Sequence, residues 1–362
     1  MEHTITTIGS HSALDVCEGA KAEGFKNLVV CQKGRDATYS VYYKTRKRKD
    51  MEVGVVDETL VLDRFKDMAN EENQKKMNDK KAVFVPNRSF AVYVGYDNIE
   101  KKFSVPVFGN KFLLKAEERN VEKDQYYLME KAKVNFPKVI KSPDKIDTLS
   151  IVKVSEAKRS YERAFFLASS PAEYDMKSKE LIDNGKITKE GLENAVIEEY
   201  ILGAHFNFNF FYSPLNDELE LMGIDTRRQT NLDGFLRLPA RQQLELGEFV
   251  QPSTIETGHI ACTLRESLLQ QALEAGQKLV DTAKKEYKPG IIGPFALQGA
   301  MEEKNGERFV CFDVSLRIPG SPGTRFTPYP EYLFRESISF GRRIAMEVKE
   351  GEKQKRMDEL VT

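Results

Sequence analysis

The sequence predicts an α/β unit at the N-terminus, built on a parallel sheet, followed by an α+β remainder. Three observations predict it. Residues 5–31 read as strand, helix, strand: Ile5-Thr6-Thr7-Ile8, then a segment from Ala13 with Leu14, Cys17 and Lys21 at helical spacing and Gly24 as its stop, then Asn27-Leu28-Val29-Val30-Cys31. A β-α-β start implies parallel strands joined by a right-handed crossover. Polar residues follow three strand ends, at Gly9-Ser10-His11-Ser12, Lys33-Gly34-Arg35-Asp36 and Asn87-Arg88-Ser89. Further on, residues 205–212 and 309–317 alternate with period two, as strands with unlike faces do.

In the first unit, ligands belong at the carboxyl ends of the strands, beside helix N-termini. No G-x-G-x-x-G occurs there, so a dinucleotide is not indicated. A phosphorylated small molecule fits the hydroxyls, backbone N–H groups and His11 better, although a local helix cap also accounts for a lone histidine. Ala82-Val83-Phe84-Val85-Pro86 is a buried strand, residues 70–81 form a solvated helix, and Val105-Pro106-Val107-Phe108-Gly109-Asn110 closes the unit near residue 115.

Residues 116–135 read as one charged helix. Ser150-Ile151-Val152-Lys153-Val154 and Phe165-Phe166-Leu167-Ala168 are partner strands, followed by a helix over 171–184. Phe206, Phe208, Phe210 and Tyr212 point into a core, and His205, Asn207 and Asn209 line the other face, with Glu218 to Asp225 as the hairpin partner. Arg227 to Gly234 is a loop. Thr263-Leu264-Arg265-Glu266 has capping-box spacing for a helix that buries Leu264, Leu268, Ala272, Leu279 and Ala283. Gly293 to Gln298 is a strand, and a last helix spans 337–349.

The strand Phe309 to Arg317 concentrates chemistry. Alternation puts Asp313, Ser315 and Arg317 on one face and Phe312, Val314 and Leu316 on the other. A carboxylate and a guanidinium on an apolar strand read either as a metal-phosphate site or as a solvated face. The residues alone leave both open.

At 362 residues the chain is too long for one ordinary core, so two or three domains are expected. A net charge of -1 gives no basic footprint for nucleic acid. No apolar run reaches a membrane span, and Met1-Glu2-His3-Thr4 lacks signal-peptide character, so a cytoplasmic protein is expected. The four cysteines form no C-x-x-C pair and read as buried thiols.

The order of parts resembles the ATP-grasp superfamily, and within it the archaeal formate-dependent synthetases of formaminoimidazole carboxamide ribonucleotide (FAICAR), the PurP family. Gly9-Ser10-His11-Ser12, Gly19-Ala20-Lys21-x-x-Gly24-Phe25, Lys33-Gly34-Arg35-Asp36, Val105-Pro106-x-Phe108-Gly109-Asn110, Glu198-Glu199-Tyr200, Asn231-x-Asp233-Gly234, Arg265-Glu266-Ser267-Leu268-Leu269 and Gly293-Pro294-Phe295-x-Leu297-Gln298 carry the resemblance across nearly the whole chain. It implies a Rossmann-like, pre-ATP-grasp parallel sheet in residues 1–115 that binds the ribonucleotide, then a two-subdomain ATP-grasp fold in 116–195 and 196–362, the latter with the metal and phosphate site. The implied activity is ATP- and formate-dependent formylation of aminoimidazole carboxamide ribonucleotide (AICAR) in purine (IMP) biosynthesis, through formyl phosphate and without folate. By resemblance His11, Ser89 and Asn231 hold AICAR, and Lys153, Glu198, Glu199, Tyr200 and Arg317 serve ATP. Gln298 and Asp313 bind Mg²⁺ or Mn²⁺. The implied partners are these small molecules alone, and a homo-oligomer is compatible.

Two positions depart from the family pattern. Ser155 to Ala164, after the lysine strand, carries no glycine where family members have a Gly- and Arg-rich loop, and offers Lys158, Arg159 and Arg163 instead. Asp313 stands where the family carries Glu, one methylene shorter, with Pro319 and Pro322 in the turn that follows. The alternatives are a paralogue that binds a ribonucleotide without activating formate, and an ATP-grasp ligase for another carboxylate.

Overall fold

The computed structural model describes residues 1–119, 121–154, 164–247, 255–304 and 306–362. The chain opens with β1 (Thr4–Ile8), a helix over Ala13–Ala22 and β2 (Lys26–Gln32). A small hairpin follows, β3 (Arg46–Arg48) with β4 (Met51–Val53), then β5 (Glu58–Leu62) and β6 (Ala82–Val85). The larger strands form a parallel sheet ordered β5-β2-β1-β6, as the β-α-β start predicts. β1 is central, so the loops after β1 and β6 emerge side by side.

Ala13, Val16, Cys17 and Ala20 bury one face of the first helix. Small residues suit it because the C-terminal helix Phe340–Gln354 crosses it at backbone contact. A Cβ on Gly341 would lie 2.0 Å from the Asp15 carbonyl oxygen, and one on Gly19 would lie 2.0 Å from the Arg342 nitrogen. The C-terminal helix therefore packs on the N-terminal sheet unit. Ser339 caps it by accepting from Arg342 N at 3.2 Å, which sets its start three residues beyond the expected one.

A second, antiparallel sheet contains β7 (Val139–Ile140), β8 (Ser150–Val154), β9 (Ala164–Ala168) and β10 (Val196–Glu199), in the order β7-β10-β8-β9. Val152, Phe166 and Ile197 pack its core with Tyr174. The third sheet is antiparallel and five-stranded. It comprises β11 (Gly203–Ser213), β12 (Glu218–Gln229), β13 (Glu256–Cys262), β14 (Gly293–Glu303) and β15 (Glu307–Ser315), in the order β13-β12-β11-β14-β15. Phe208, Phe210, Phe295, Leu297 and Val314 point to one face, where the helix Glu266–Glu286 covers them with Leu268, Ala272, Leu279 and Ala283. Each fully buried phenylalanine contributes roughly 2–3 kcal/mol by area, so this face anchors the sheet and leaves the other free for polar work.

Four expectations need correction. Residues 116–135 are not one helix: a short turn over Leu114–Glu117 is followed by a helix only over Gln125–Ala132, started by Asp124, which accepts from Tyr127 N at 2.9 Å. Arg227 to Gln229 belong to β12 rather than to a loop, because β13 pairs with them. The long helix begins at Glu266 without a Thr263 cap; Leu264 precedes it, its N–H held by the Tyr329 hydroxyl at 3.0 Å. In β15 the register shifts so that Gln298 pairs with Asp313 but Gly299 with Cys311. Phe312 is the extra residue of this β-bulge. It leaves the face of Val314 and Leu316 and packs beside Ile201 and Ala300, with its ring 5.2 Å from that of His205.

Candidate active site

The polar face of the third sheet carries one rung across four strands. Asp225 on β12 pairs with Asn207 on β11, Asn207 with Gln298 on β14, and Gln298 with Asp313 on β15. Asn207 and Asn209 donate to the two oxygens of Asp225 at 2.8 and 2.6 Å, satisfying a carboxylate that is 1% exposed. Gln298 accepts from Arg227 and donates to Ser315 Oγ at 3.0 Å.

At the β12–β13 edge, His259 bridges two acids. Its Nδ1 meets Asp225 and its Nε2 lies 2.8 Å from Glu256, whose other oxygen holds Arg227 Nε at 2.9 Å. Burial opposes the imidazolium, but the hydrogen bonds and charges of Asp225 and Glu256 outweigh it and raise its pKa to about 9. Burial likewise opposes the Glu256 carboxylate, and His259 and Arg227 pull it down to about 2.

The second sheet supplies Lys153. It lies opposite Val152 and Val154 on β8 and reaches the bulge of β15, donating to the Phe312 carbonyl at 3.2 Å and ion-pairing with Glu198. Burial lowers its pKa against the pull of Glu198. Glu198 also accepts from the Tyr126 hydroxyl at 3.0 Å. Arg119 Nη2 lies 3.4 Å from Asp313. Arg317 lies 3.6 Å from Glu117, which also accepts from Leu316 N at 2.6 Å.

The parallel sheet supplies the third wall. Asn87 donates to the carbonyls of Ile8 and His11 at 3.1 and 3.0 Å and caps the helix Arg88–Val94 through Ser89 N, tying the loops after β1 and β6 together. Ser89 Oγ meets Ser10 Oγ at 2.6 Å. These loops touch the turn after β15: Ser12 Oγ donates to the Pro319 carbonyl at 2.5 Å. A Cβ on Gly320 would stand 3.2 Å from His11 Nδ1, 3.6 Å from His259 Nε2 and 3.7 Å from Glu256 Oε1. His11, His259 and Glu256 therefore all border Gly320.

Chemically, the site offers cations for phosphate, hydroxyls and imidazoles for a nucleotide, and an amide oxygen beside a carboxylate for a hard cation. Among the described residues no group of three or more His, Cys, Asp or Glu could hold a metal ion. Gln298 and Asp313 nevertheless fit Mg²⁺, which takes few protein oxygens and completes its shell with water and phosphate.

Family models match residues 173–362, as "Domain of unknown function (DUF1297)", and residues 5–140, as "Protein of unknown function (DUF1246)". The chain is 41% identical over 360 residues to the 5-formaminoimidazole-4-carboxamide-1-(beta)-D-ribofuranosyl 5'-monophosphate synthetase of Methanopyrus kandleri, covering 99% of this chain and 95% of that one. It belongs to this synthetase family. A crystal structure of an IMP biosynthesis protein PurP from Thermococcus kodakaraensis matches with a TM-score of 0.73 and 30% identity over 99% of this chain and 100% of that one. The fold is that of the ATP-grasp ligases: Thermotoga maritima phosphoribosylamine–glycine ligase superposes with a TM-score of 0.56 at 13% identity, over 89% of this chain and 70% of that one.

Set against the expectations for this synthetase family, His11 stands on the loop after β1 and Ser89 in the first turn of the helix after β6, and Gln298 and Asp313 are cross-strand partners. Asn231 lies two residues beyond β12, whose last residue pairs with Glu256. Glu198 and Glu199 diverge, Glu198 to Lys153 and Glu199 to Lys304 at 3.1 Å. Tyr200 is half-buried, its N–H on the Leu149 carbonyl. The glycine-free stretch 155–163 lies outside the described residues. Sequence reasoning missed Asp225, Glu256, His259, Glu117, Arg119 and Tyr126. The alternation on β12 could have flagged Asp225 beside Arg227; the others are recruited by contacts distant in sequence.

Proposed function

We propose that this protein joins formate to the amine of AICAR with ATP, giving FAICAR, ADP and phosphate in IMP biosynthesis. The observation that carries the reading is the junction at Pro319 and Gly320. There the loop of Ser12 and His11 meets the turn that follows Asp313 and Arg317, so a ribonucleotide amine and a transferred phosphoryl group would share one cleft.

Formate is a poor acyl donor because oxide would have to leave. A formate oxygen attacks the γ-phosphorus, ADP departs, and formyl phosphate forms. The AICAR amine then attacks the formyl carbon, phosphate leaves with the bridging oxygen, and the amine proton passes to phosphate or solvent. His11, Ser89 and Asn231 hold AICAR. Lys153 and Arg317 contact ATP phosphates, Glu199 and Tyr200 lie toward the nucleoside end, and Glu198 positions Lys153. Gln298 and Asp313 would hold Mg²⁺ or Mn²⁺, which supplies charge neutralisation on the phosphates. Closure of three sheet units over the cleft keeps water from the acyl phosphate.

The test is ADP release by the purified protein with AICAR, formate, ATP and MgCl₂. The reading expects release that needs both AICAR and formate and is lost in Asp313→Ala. AICAR binding without formate-dependent ADP would favour a binding paralogue, and ADP release with a different acid would favour another ligase.

A further inference from the structure

Arg119 reaches the centre of the site, where it meets Asp313. Its neighbours fix it there. Glu117 is held by Leu316 N and faces Arg317 at 3.6 Å and Arg88 at 3.4 Å. Glu118 lies 3.4 Å from Arg88 and accepts from the Tyr96 hydroxyl at 2.7 Å. The stretch therefore bridges the parallel sheet unit and β15, and it delivers the Arg119 guanidinium to Asp313 at 3.4 Å and to the Tyr126 hydroxyl. Its Nε, like that of Arg317 in the same cleft, is buried without a hydrogen-bond partner. A buried donor left unmade is costly, which points to a further acceptor.

The other cations of the cleft have partners of their own. Lys153 is fixed by Glu198 and the Phe312 carbonyl, Arg317 faces Glu117, and Arg227 grips Glu256 and Gln298. Arg119 ion-pairs with the carboxylate assigned to the metal, as Arg227 bonds the amide assigned to it. A divalent cation and a guanidinium on one carboxylate would set three positive charges against one negative. Triphosphate oxygens arriving with the cation supply the missing negative charge, and the planar guanidinium fork matches them.

We propose that Arg119 is a further ligand of the transferred phosphoryl group, held on Asp313 until a divalent cation takes that carboxylate. The inference rests on the reading of Asp313 as a metal ligand. It couples cation binding to the release of a phosphate-binding arginine.

The experiment is calorimetric binding of the β,γ-imido analogue of ATP and, separately, of AMP, each in MgCl₂ and in EDTA. Arg119→Gln should weaken analogue binding about tenfold or more in MgCl₂, the loss expected for one charged hydrogen bond. In EDTA the loss should be less than about threefold, and AMP binding should be unchanged in both buffers, which shows that the variant is folded. Arg119→Lys should recover part of the affinity. Unchanged or tighter analogue binding by Arg119→Gln in MgCl₂ would overturn the proposal, because the arginine would then only mask Asp313. An equal loss in both buffers would overturn the coupling. Asp313→Asn tests the underlying reading separately: it should abolish the difference between MgCl₂ and EDTA for the analogue, and its persistence would show that the metal assignment has failed, whatever Arg119 does.

Discussion

His259→Gln should destabilise the protein in a way that depends on pH. His259 lies between Asp225 and Glu256 and titrates near 9 in the folded state, against 6.5 for a free imidazole. At 1.36 kcal/mol per pH unit, that preference for the imidazolium is worth about 3 kcal/mol. The sign follows from the raised value. The contribution is complete below pH 6.5, where the unfolded histidine is also charged, and it is lost as pH rises through 9. Glu256, pulled down to about 2, shows the same interaction from the acid side: its share is present above the ordinary carboxyl value and fades as pH falls toward 2. Urea unfolding of parent and variant at pH 6 and pH 9.5 reads the effect. The gap between them should shrink by about 3 kcal/mol at the higher pH. A gap of the same size at both would mean that His259 contributes packing and not charge, and the electrostatic account of this edge would be wrong.

Asp15 is buried, which raises its carboxyl to about 6 despite hydrogen bonds from Ser339 and Gly341. The folded state therefore holds the proton more tightly than the unfolded chain, and the cost grows as pH rises from 3.8 to 6. Asp15→Asn should stabilise the protein by up to about 3 kcal/mol at pH 7 and by nothing near pH 3.5, read by chemical denaturation at both. Gly341→Ala places a Cβ 2.0 Å from the Asp15 carbonyl oxygen and must part the two helices. A loss of about 2–3 kcal/mol or more is expected as a lower melting temperature; an unchanged melt would deny the close crossing.

The fold was legible where the signal is local. The β-α-β start, the alternation of Phe206 to Tyr212 and the facing of Asp313 with Ser315 follow from periodicity, and the sheets bear them out. Phe312 was misplaced because a bulge belongs to the pairing of β14 with β15, not to the sequence of β15 alone. Arg227 was read as loop because its strand partner, His259, lies 32 residues on, in β13. The charged stretch after residue 115 suggested a helix by composition, but Glu117 and Arg119 are drawn out by Leu316 and Asp313, nearly 200 residues away. In the candidate site, the sequence motifs name His11, Ser89, Gln298 and Asp313, whereas the residues that hold or complement them were visible only once the sheets had been brought together.

The central claim is that formate is activated by phosphorylation before AICAR attacks it. Formate carrying ¹⁸O, turned over with AICAR and ATP, tests this directly, with the released phosphate and the nucleotide product analysed by mass spectrometry. The account predicts one formate-derived ¹⁸O in each phosphate and a formyl group on the AICAR amine. Formylated product accompanied by unlabelled phosphate, or ADP release with no formylated product, would contradict it.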